Sequence, residues 1–464
     1  MKAVINGGLI LDNSKLLVGL DIGTTSIKAV VADSGKVIGA VSTPNAGMRH
    51  GKIVDIDQTA AAISKALKEV AEKTNSNIYR VVTGIPVGML QLESATGLTS
   101  VADNGQEVGN NDVKRVLQAA IKSAVKDGRD PIAFLPSRFL IDGKTDVDDP
   151  RKMIAHSLAV RGILLTAPTG ALHNIKKAIE RAGYKNNFFV PTPLAIASVA
   201  LDEGERTFGS IILDLGGGTT TATVIHEGQI KYANIDLEGG SDISNDISVV
   251  LSTSKKDANQ IKLDYGFADP SLASENDKFA VNSVGTNGQK MIDEVYLSEI
   301  INARLMQILN RIGKGLAKNK ALKLPGGVII TGGSSLLQGI DSLVANTLGI
   351  KARIYQPDQM GIRNPVYAAA YGIVNYSYKM SDIDYIVNSA IYGDEVVAKK
   401  VQPEPVNHEN TKNLKRTISS RETESKEAYN SNKLTGEETA PEKERENNQS
   451  RTGSLKNFFK KFFD

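Results

Sequence analysis

A two-lobed α/β body followed by a polar leash is the fold class this sequence predicts, and three observations carry the prediction. One strand–turn phrase occurs twice, as Gly19-Leu20-Asp21-Ile22-Gly23-Thr24-Thr25-Ser26 and as Leu213-Asp214-Leu215-Gly216-Gly217-Gly218-Thr219-Thr220. A chain of 464 residues exceeds what one hydrophobic core holds, so two lobes of roughly 150–200 residues each are the natural division. From residue 402 to 453 the only large aliphatic residues are Val406, Leu414, Ile418 and Leu434, in a field of Glu, Lys, Asn, Ser and Thr. Such a stretch buries too little apolar surface to offset its chain entropy, and reads as a disordered linker.

Taken in chain order, each repeated phrase follows an apolar run, Leu16-Leu17-Val18 in the first and Ser210-Ile211-Ile212-Leu213 in the second. Each run reads as a buried strand ending in an aspartate and a glycine turn. Alternation resumes beyond the turns, with Ile27, Ala29 and Val31 in one and Ala222, Val224 and Ile225 in the other, so both phrases are expected to be hairpins. Gly23, Gly216, Gly217 and Gly218 lack the Cβ that would hold a backbone away from a phosphate, and their N–H groups can grip an anion. The hydroxyls of Thr24, Thr25, Thr219 and Thr220 add donors. Asp21 and Asp214 would repel a phosphate directly. Their use is to hold a hydrated Mg²⁺ that bridges phosphate oxygens, while Lys28 neutralises charge. One glycine–threonine turn alone is most often only a turn. Two in matched strand contexts point to phosphate loops facing each other across a cleft. A third run, Val328-Ile329-Ile330-Thr331-Gly332-Gly333-Ser334-Ser335, again sets a buried strand before a glycine turn that leads into a helix. Gly332, Gly333 and Ser334 would let a purine or ribose pack against bare backbone.

These three turns, in this order, resemble the actin, Hsp70 and sugar-kinase superfamily, and within it the FtsA family of bacterial cell-division proteins. Supporting phrases are Gly51-Lys52-Ile53-Val54-Asp55-Ile56, Thr83-Gly84-Ile85-Pro86, Phe139-Leu140-Ile141-Asp142-Gly143, Leu165-Thr166-Ala167-Pro168, Glu180-Arg181-Ala182-Gly183-Tyr184, Pro193-Leu194-Ala195 and Glu238-Gly239-Gly240-Ser241-Asp242. The resemblance runs from about residue 16 to about residue 372 and resumes at the C-terminus. It implies an actin-like (ribonuclease-H-like) ATPase fold with subdomain 1A at 1–84, 166–204 and 369–399, 1C at 85–165, 2A at 205–240 and 315–368, and 2B at 241–314. The linker then spans 400–453 and an amphipathic helix 454–464. It implies ATP and Mg²⁺ as cofactors and adds Lys262, followed by Tyr265-Gly266, to the nucleotide site. Two positions depart from the family pattern: Thr221 and Asn259 stand where carboxylates are usual. The first loss removes a carboxylate that helps organise metal or water, so the resemblance implies binding and no catalytic residue is assigned. The second leaves an amide that bonds a ribose hydroxyl more weakly than a charge would.

Composition narrows the alternatives. The chain has no cysteine, which excludes disulfides and thiolate chemistry, and its five histidines, at 50, 156, 173, 226 and 408, have no zinc-ligand spacing. A net charge of +3 is too small to argue for a nucleic-acid surface. No apolar run of about 18 residues exists to span a bilayer. The start, Met1 to Leu11, is broken by Asn6 and followed by Asp12, and fails as a signal peptide.

Between the phosphate phrases, Asn111-Asp112-Val113-Lys114-Arg115-Val116-Leu117-Gln118-Ala119-Ala120-Ile121 predicts a helix capped by Asn111 or Asp112, with Val113, Val116, Leu117, Ala120 and Ile121 on one face. By resemblance this block is subdomain 1C, which contacts neighbouring subunits in a filament. Subdomain 2B would receive the C-terminal peptide of the tubulin-like protein FtsZ. Its last helix, from Ile292 to Leu309, carries an apolar stripe read as core, and Arg304 is the candidate to meet an acidic partner peptide, with a solvated surface arginine as the alternative.

The chain ends in Ser454-Leu455-Lys456-Asn457-Phe458-Phe459-Lys460-Lys461-Phe462-Phe463-Asp464. Leu455, Phe458, Phe459, Phe462 and Phe463 fall on one helical face, with Lys456, Lys460 and Lys461 flanking it and Ser454 placed to cap. Five such side chains release roughly 7–15 kcal/mol gross on burial, and each lysine adds about 1 kcal/mol near an anionic leaflet. A helix this short orders only on binding. A leash of about 50 residues, with a root-mean-square span of roughly 40 Å, suits a membrane better than docking back onto the body. The resemblance therefore implies a protein that polymerises on the cytoplasmic face of the membrane at the division site and tethers FtsZ filaments there. Its partners would be FtsZ, further copies of itself, the anionic membrane surface and other division proteins. The rivals on the same fold are a soluble kinase, a chaperone ATPase, which would need a β-rich domain after the body, and a pilus-assembly module of the PilM kind.

Overall fold

The computed structural model describes residues 16–102, 105–285 and 289–394. The predicted linker and amphipathic tail, with Leu455, Phe458, Phe459, Lys460, Phe462 and Phe463, lie outside the described residues.

Two five-stranded sheets built on one plan form the hearts of the two lobes. In the first the order is Lys185–Pro191, Arg80–Ile85, Leu16–Ile22, Ser26–Asp33, Lys36–Pro44; in the second it is Gln229–Asp236, Thr220–His226, Ser210–Leu215, Val328–Thr331, Ala352–Ile354. In both, the strand that carries the phosphate-turn aspartate pairs antiparallel with the strand after the turn and parallel with a later crossover strand. Both phrases are thus hairpins, as their alternation predicts. Buried Leu20, Ile27 and Val31 anchor the first hairpin, and Ile211, Leu213 and Ala222 the second.

The third predicted strand is Val328–Thr331, and its turn passes through one 3₁₀ turn, Gly333–Leu336, before the helix Ile340–Leu348. Between the first lobe's strands sits a separate antiparallel sheet, ordered Thr145–Val147, Arg129–Ile141, Ser157–Pro168, Gln91–Ser100. The helix Asn110–Ala124 lies on it, burying Val113, Val116, Leu117, Ala120 and Ile121. Close approach explains Gly97: a Cβ there would stand 2.2 Å from the Val116 carbonyl oxygen. The helix starts on Gly109 rather than on Asn111 or Asp112; Asp112 lies at its third position and its Oδ2 accepts from the Gly109 N–H.

The longest helix of the second lobe, Glu294–Lys318, starts on Asp293 and buries Leu297, Ile300, Ile301, Leu305, Ile308, Leu309 and Ile312. Its apolar stripe is core, as the spacing predicts. The chain then returns to the first lobe through Ala368–Tyr378, whose Gly372 lets it close on the Ala195 carbonyl of the helix Thr192–Ala200. The last described helix, Asp382–Tyr392, adds Ile386 and Val387 to the core under the Asn110–Ala124 helix. Among the described residues no helix is long and apolar enough to cross a membrane.

Candidate functional site

The two hairpin turns face each other across a cleft of about 660 Å³, within the usual range for ligand pockets. Each turn closes on itself in the same way. The N–H of Gly23 donates to the Ser26 carbonyl at 3.1 Å, and that of Gly216 to the Thr219 carbonyl at 3.0 Å. The turns also touch: a Cβ on Gly217 would lie 2.3 Å from Thr25 Oγ1, and one on Gly218 2.5 Å from Thr24 Cγ2. Glycine is required there because the lobes meet. Thr219, Lys28, Gly216, Gly332, Gly333 and Ser334 line the same cleft.

Asp21 and Asp214 stand at matching ends of their strands, with unlike surroundings. Across the ladder from Asp21 is Lys28, its Nζ 3.2 Å from Asp21 Oδ2. Across from Asp214 is Thr221, which brings no charge. Burial, then repulsion from Asp21, pushes the Asp214 carboxyl up to about 6, with Lys28 offsetting part of the rise. By surface area Asp214 is only partly covered, because one side opens on the cleft. On its protein side it is enclosed: Gly332, at φ +91°, would place a Cβ 2.4 Å from Asp214 Oδ1. A side chain there would displace the carboxylate.

Among the described residues no group of three acidic or histidine side chains could hold a metal ion. Two carboxylates facing each other over phosphate-sized turns fit a cation that takes most of its ligands from water and phosphate oxygens, which is how Mg²⁺ binds. Lys28 forms its ion pair with Asp21, not with Asp214.

At the other end of the cleft, Lys262 is buried to 6 % exposure. Its Nζ donates to the Gly240 carbonyl at 2.6 Å and to Ser244 Oγ at 2.9 Å, both neutral, and burial lowers its pKa to about 8. Asn259 lines the cleft beside it, with Oδ1 3.1 Å from Ser244 Oγ. Tyr265 stacks on Phe279 at 4.3 Å and, with Phe267 and Leu336, gives this end apolar walls.

The structure places Arg304 away from the cleft, with its fork taken up by its own chain: Asp246 bidentately at 2.7 and 2.9 Å, Glu238 at 2.9 Å and Gln307 at 2.6 Å. It is neither a solvated arginine nor an open one. A partner's carboxylate would reach it only by displacing one of these acceptors.

Three residues that brace the turns were assigned no role by the sequence reading. Asn45 Nδ2 donates to the Gly23 carbonyl at 2.9 Å, and the Gly51 N–H to Thr24 Oγ1 at 3.0 Å. The His50 Nδ1–H donates to the Leu237 carbonyl at 2.7 Å, from one lobe to the other. A signal for these last two exists in the His50-Gly51 dipeptide, where both residues have positive φ at a hairpin tip.

Two family profiles match this chain: one described as "Cell division protein FtsA" over residues 211–372, and one described as "SHS2 domain inserted in FTSA" over residues 89–166, which is the block of the separate antiparallel sheet. The cell division protein FtsA of Enterococcus hirae is 38% identical over 456 residues, covering 97% of this chain and 99% of that protein. The cell division protein FtsA of Bacillus subtilis is 32% identical over 377 residues, covering 80% and 86%. Among solved structures, the PilM-PilN type IV pilus biogenesis complex superposes with a TM-score of 0.55 at 16% identity, over 78% of this chain and 99% of the matched one. At that identity the likeness is one of fold.

Proposed function

The chain belongs to the FtsA family of cell-division proteins, and from that premise we propose that it binds ATP with Mg²⁺ between Asp21 and Asp214, polymerises, and tethers FtsZ filaments to the cytoplasmic face of the membrane. That it is an actin-like, nucleotide-binding, self-assembling division protein follows from the family.

One observation carries the nucleotide: two glycine turns, each beside a strand-end aspartate, pressed together by Gly217 on Thr25 and Gly218 on Thr24. Gly23, Thr24, Thr25, Gly216, Gly217, Gly218 and Thr219 would grip the phosphates, Lys28 would offset their charge, and Gly332, Gly333, Ser334 and Lys262 would take the nucleoside. A bound Mg²⁺ supplies charge neutralisation between carboxylates and phosphates. Because the gripping groups come from both lobes, a ligand that touches both favours the closed arrangement over any open one, and so selects the form that joins subunits. Nucleotide then acts as a structural switch, with hydrolysis weak or absent. Thr221 in place of a carboxylate supports that reading.

The membrane assignment rests on sequence pattern: the greasy, lysine-flanked face of Leu455, Phe458, Phe459, Lys460, Phe462 and Phe463 at the end of a polar leash. A soluble kinase has no use for such a tail. A PilM-like role is disfavoured by 16% identity set against 38% to an FtsA protein. Sedimentation with anionic lipid vesicles and ATP tests the tether. The whole chain should pellet, and a chain ending at Gly453 should stay in the supernatant. Equal pelleting of both removes the tail from the mechanism.

A further inference from the structure

Residues 236–241, which connect the strand Gln229–Asp236 to the helix Gly240–Val250, are a meeting point of three parts of the molecule. On one side the segment is fastened to the second phosphate turn. The N–H groups of Gly240 and Ser241 donate to the Gly216 and Gly217 carbonyls at 3.0 and 2.7 Å, and Thr220 Oγ1 donates to the Glu238 carbonyl at 3.0 Å. A Cβ on Gly239 would stand 2.5 Å from the Gly216 carbonyl oxygen, so segment and turn are in direct contact. From the first lobe, His50 holds the Leu237 carbonyl.

On its far side the same segment is gripped by the long helix Glu294–Lys318. Arg304 Nη1 donates to Glu238 Oε2 at 2.9 Å while Nε and Nη2 hold Asp246. Arg311 Nε donates to Asp236 Oδ2 at 2.6 Å, and its Nη2 donates to Glu238. Glu238 thus has two guanidiniums on its carboxylate and a phosphate-turn hydroxyl on its backbone. Burial would raise its pKa, but Arg311 and Arg304 hold it below the usual carboxylate range. Asp236 is 8 % exposed and Arg304 19 %, so the inner charges of the network are largely out of water, while Glu238 at 28 % and Arg311 at 41 % reach solvent and are held by charge-assisted geometry. A helix gripped at residues 304 and 311 cannot rock against the segment without breaking charged hydrogen bonds.

We propose that Arg304 and Arg311 are positioning residues for the second phosphate turn, acting through Glu238, and that they couple occupancy of the cleft to the setting of the Glu294–Lys318 helix. This rests on the nucleotide reading of the cleft and gives it a regulatory output. A triphosphate that shifts the Gly216–Thr219 turn against the first lobe moves residues 238–241 with it, and the two arginines carry that shift into the helix. By reciprocity, a partner that resets the helix changes nucleotide affinity by the same factor.

The test is amide hydrogen exchange on the full-length protein with and without Mg-ATP, with titration of a fluorescent ATP analogue on the same samples. In the parent chain nucleotide should slow exchange in residues 294–318. In Glu238→Ala nucleotide should still bind, about fivefold more weakly, the low end of allosteric couplings, while exchange in the helix no longer responds to it. A merely structural loss would shift the helix equally with and without ligand; loss of coupling abolishes the difference. Arg311→Gln, at a half-exposed position, should show the same loss and decides the matter if Glu238→Ala does not fold. A nucleotide response in either folded variant equal to the parent's overturns the proposal, as does a parent that binds nucleotide with no change in the helix. A parent that binds no nucleotide overturns the reading beneath it.

Discussion

The two phosphate turns are near copies in sequence and register, and they differ in how charge is balanced. In the first lobe Asp21 faces Lys28 across its ladder at 3.2 Å; in the second, Asp214 faces Thr221. Deeper in the cleft the second lobe also holds Lys262, whose hydrogen bonds go to neutral oxygens. One lobe is therefore balanced within itself. The other keeps an anion and a cation apart, one facing where Mg²⁺ would sit and one where the nucleoside would, so the ligand completes what the sequence leaves open.

The strongest way to break this contrast is Asp214→Asn. Between about pH 4 and pH 6 the folded protein keeps a proton on Asp214 that the unfolded chain has released, since the carboxyl rises from 3.8 to about 6. The folded state then binds more protons, so stability falls as pH rises through that window and stays lower above it. The loss is at most about 3 kcal/mol, because the side facing the cleft keeps some water. Without nucleotide, Asp214→Asn should resist urea better than the parent at pH 7.5, and the gap should close below about pH 4. The same variant should bind Mg-ATP at least about thirtyfold more weakly, roughly 2 kcal/mol, the scale of a charge-assisted contact. A variant less stable than the parent at pH 7.5 would mean that Asp214 is not an uncompensated charge.

Thr221→Lys sharpens the comparison by giving the second hairpin the ladder of the first. A cross-strand ion pair contributes about 0.2–1 kcal/mol, and here it also relieves the repulsion between Asp21 and Asp214. Urea stability above pH 6 should rise by about 1 kcal/mol, and the fall between pH 4 and pH 6 should flatten. Since the new ammonium competes with the metal, ATP affinity should depend less on added Mg²⁺. An unchanged pH–stability curve would show that position 221 does not set the charge of Asp214.

The two hairpins, the strand Val328–Thr331 and the helices Asn110–Ala124 and Glu294–Lys318 were legible because each is a local pattern, an apolar run, a glycine turn, a period of 2 or 3.6, whereas helices such as Ile56–Thr74 and Ala368–Tyr378 were not read. Asp21, Asp214 and the glycines could be chosen because the phrase repeats, and repetition is visible in one dimension. That Gly217 meets Thr25, or that His50 reaches Leu237 from 187 residues away, is visible only after folding. Arg304 shows the same limit from the other side. On a helix with an apolar stripe, an arginine off the stripe reads as available to a partner. Its acceptors, Glu238 and Asp246, are 66 and 58 residues distant and arrive by tertiary packing. The Asp21–Lys28 pair, seven residues apart across one turn, was within reach of register arithmetic.

The smallest expected effect is at the other unbalanced charge. Asn259 shares Ser244 with Lys262, so Asn259→Glu would place a carboxylate beside the buried ammonium and a charged acceptor toward the ribose. The new pair balances Lys262 before ligand arrives, which reduces what the nucleotide completes, while the hydrogen bond to a ribose hydroxyl becomes charge-assisted. The second term should win by about 0.5–1 kcal/mol, a two- to fivefold tighter ATP affinity, because a carboxylate bridging an ammonium and a hydroxyl keeps both contacts. Titration with 3′-deoxy-ATP separates the terms. If the gain comes from the ribose hydroxyl it should shrink with the deoxy analogue; a gain of the same size with both nucleotides would mean that the introduced carboxylate acts only on Lys262, and that the second lobe's open cation was never meant for the nucleoside.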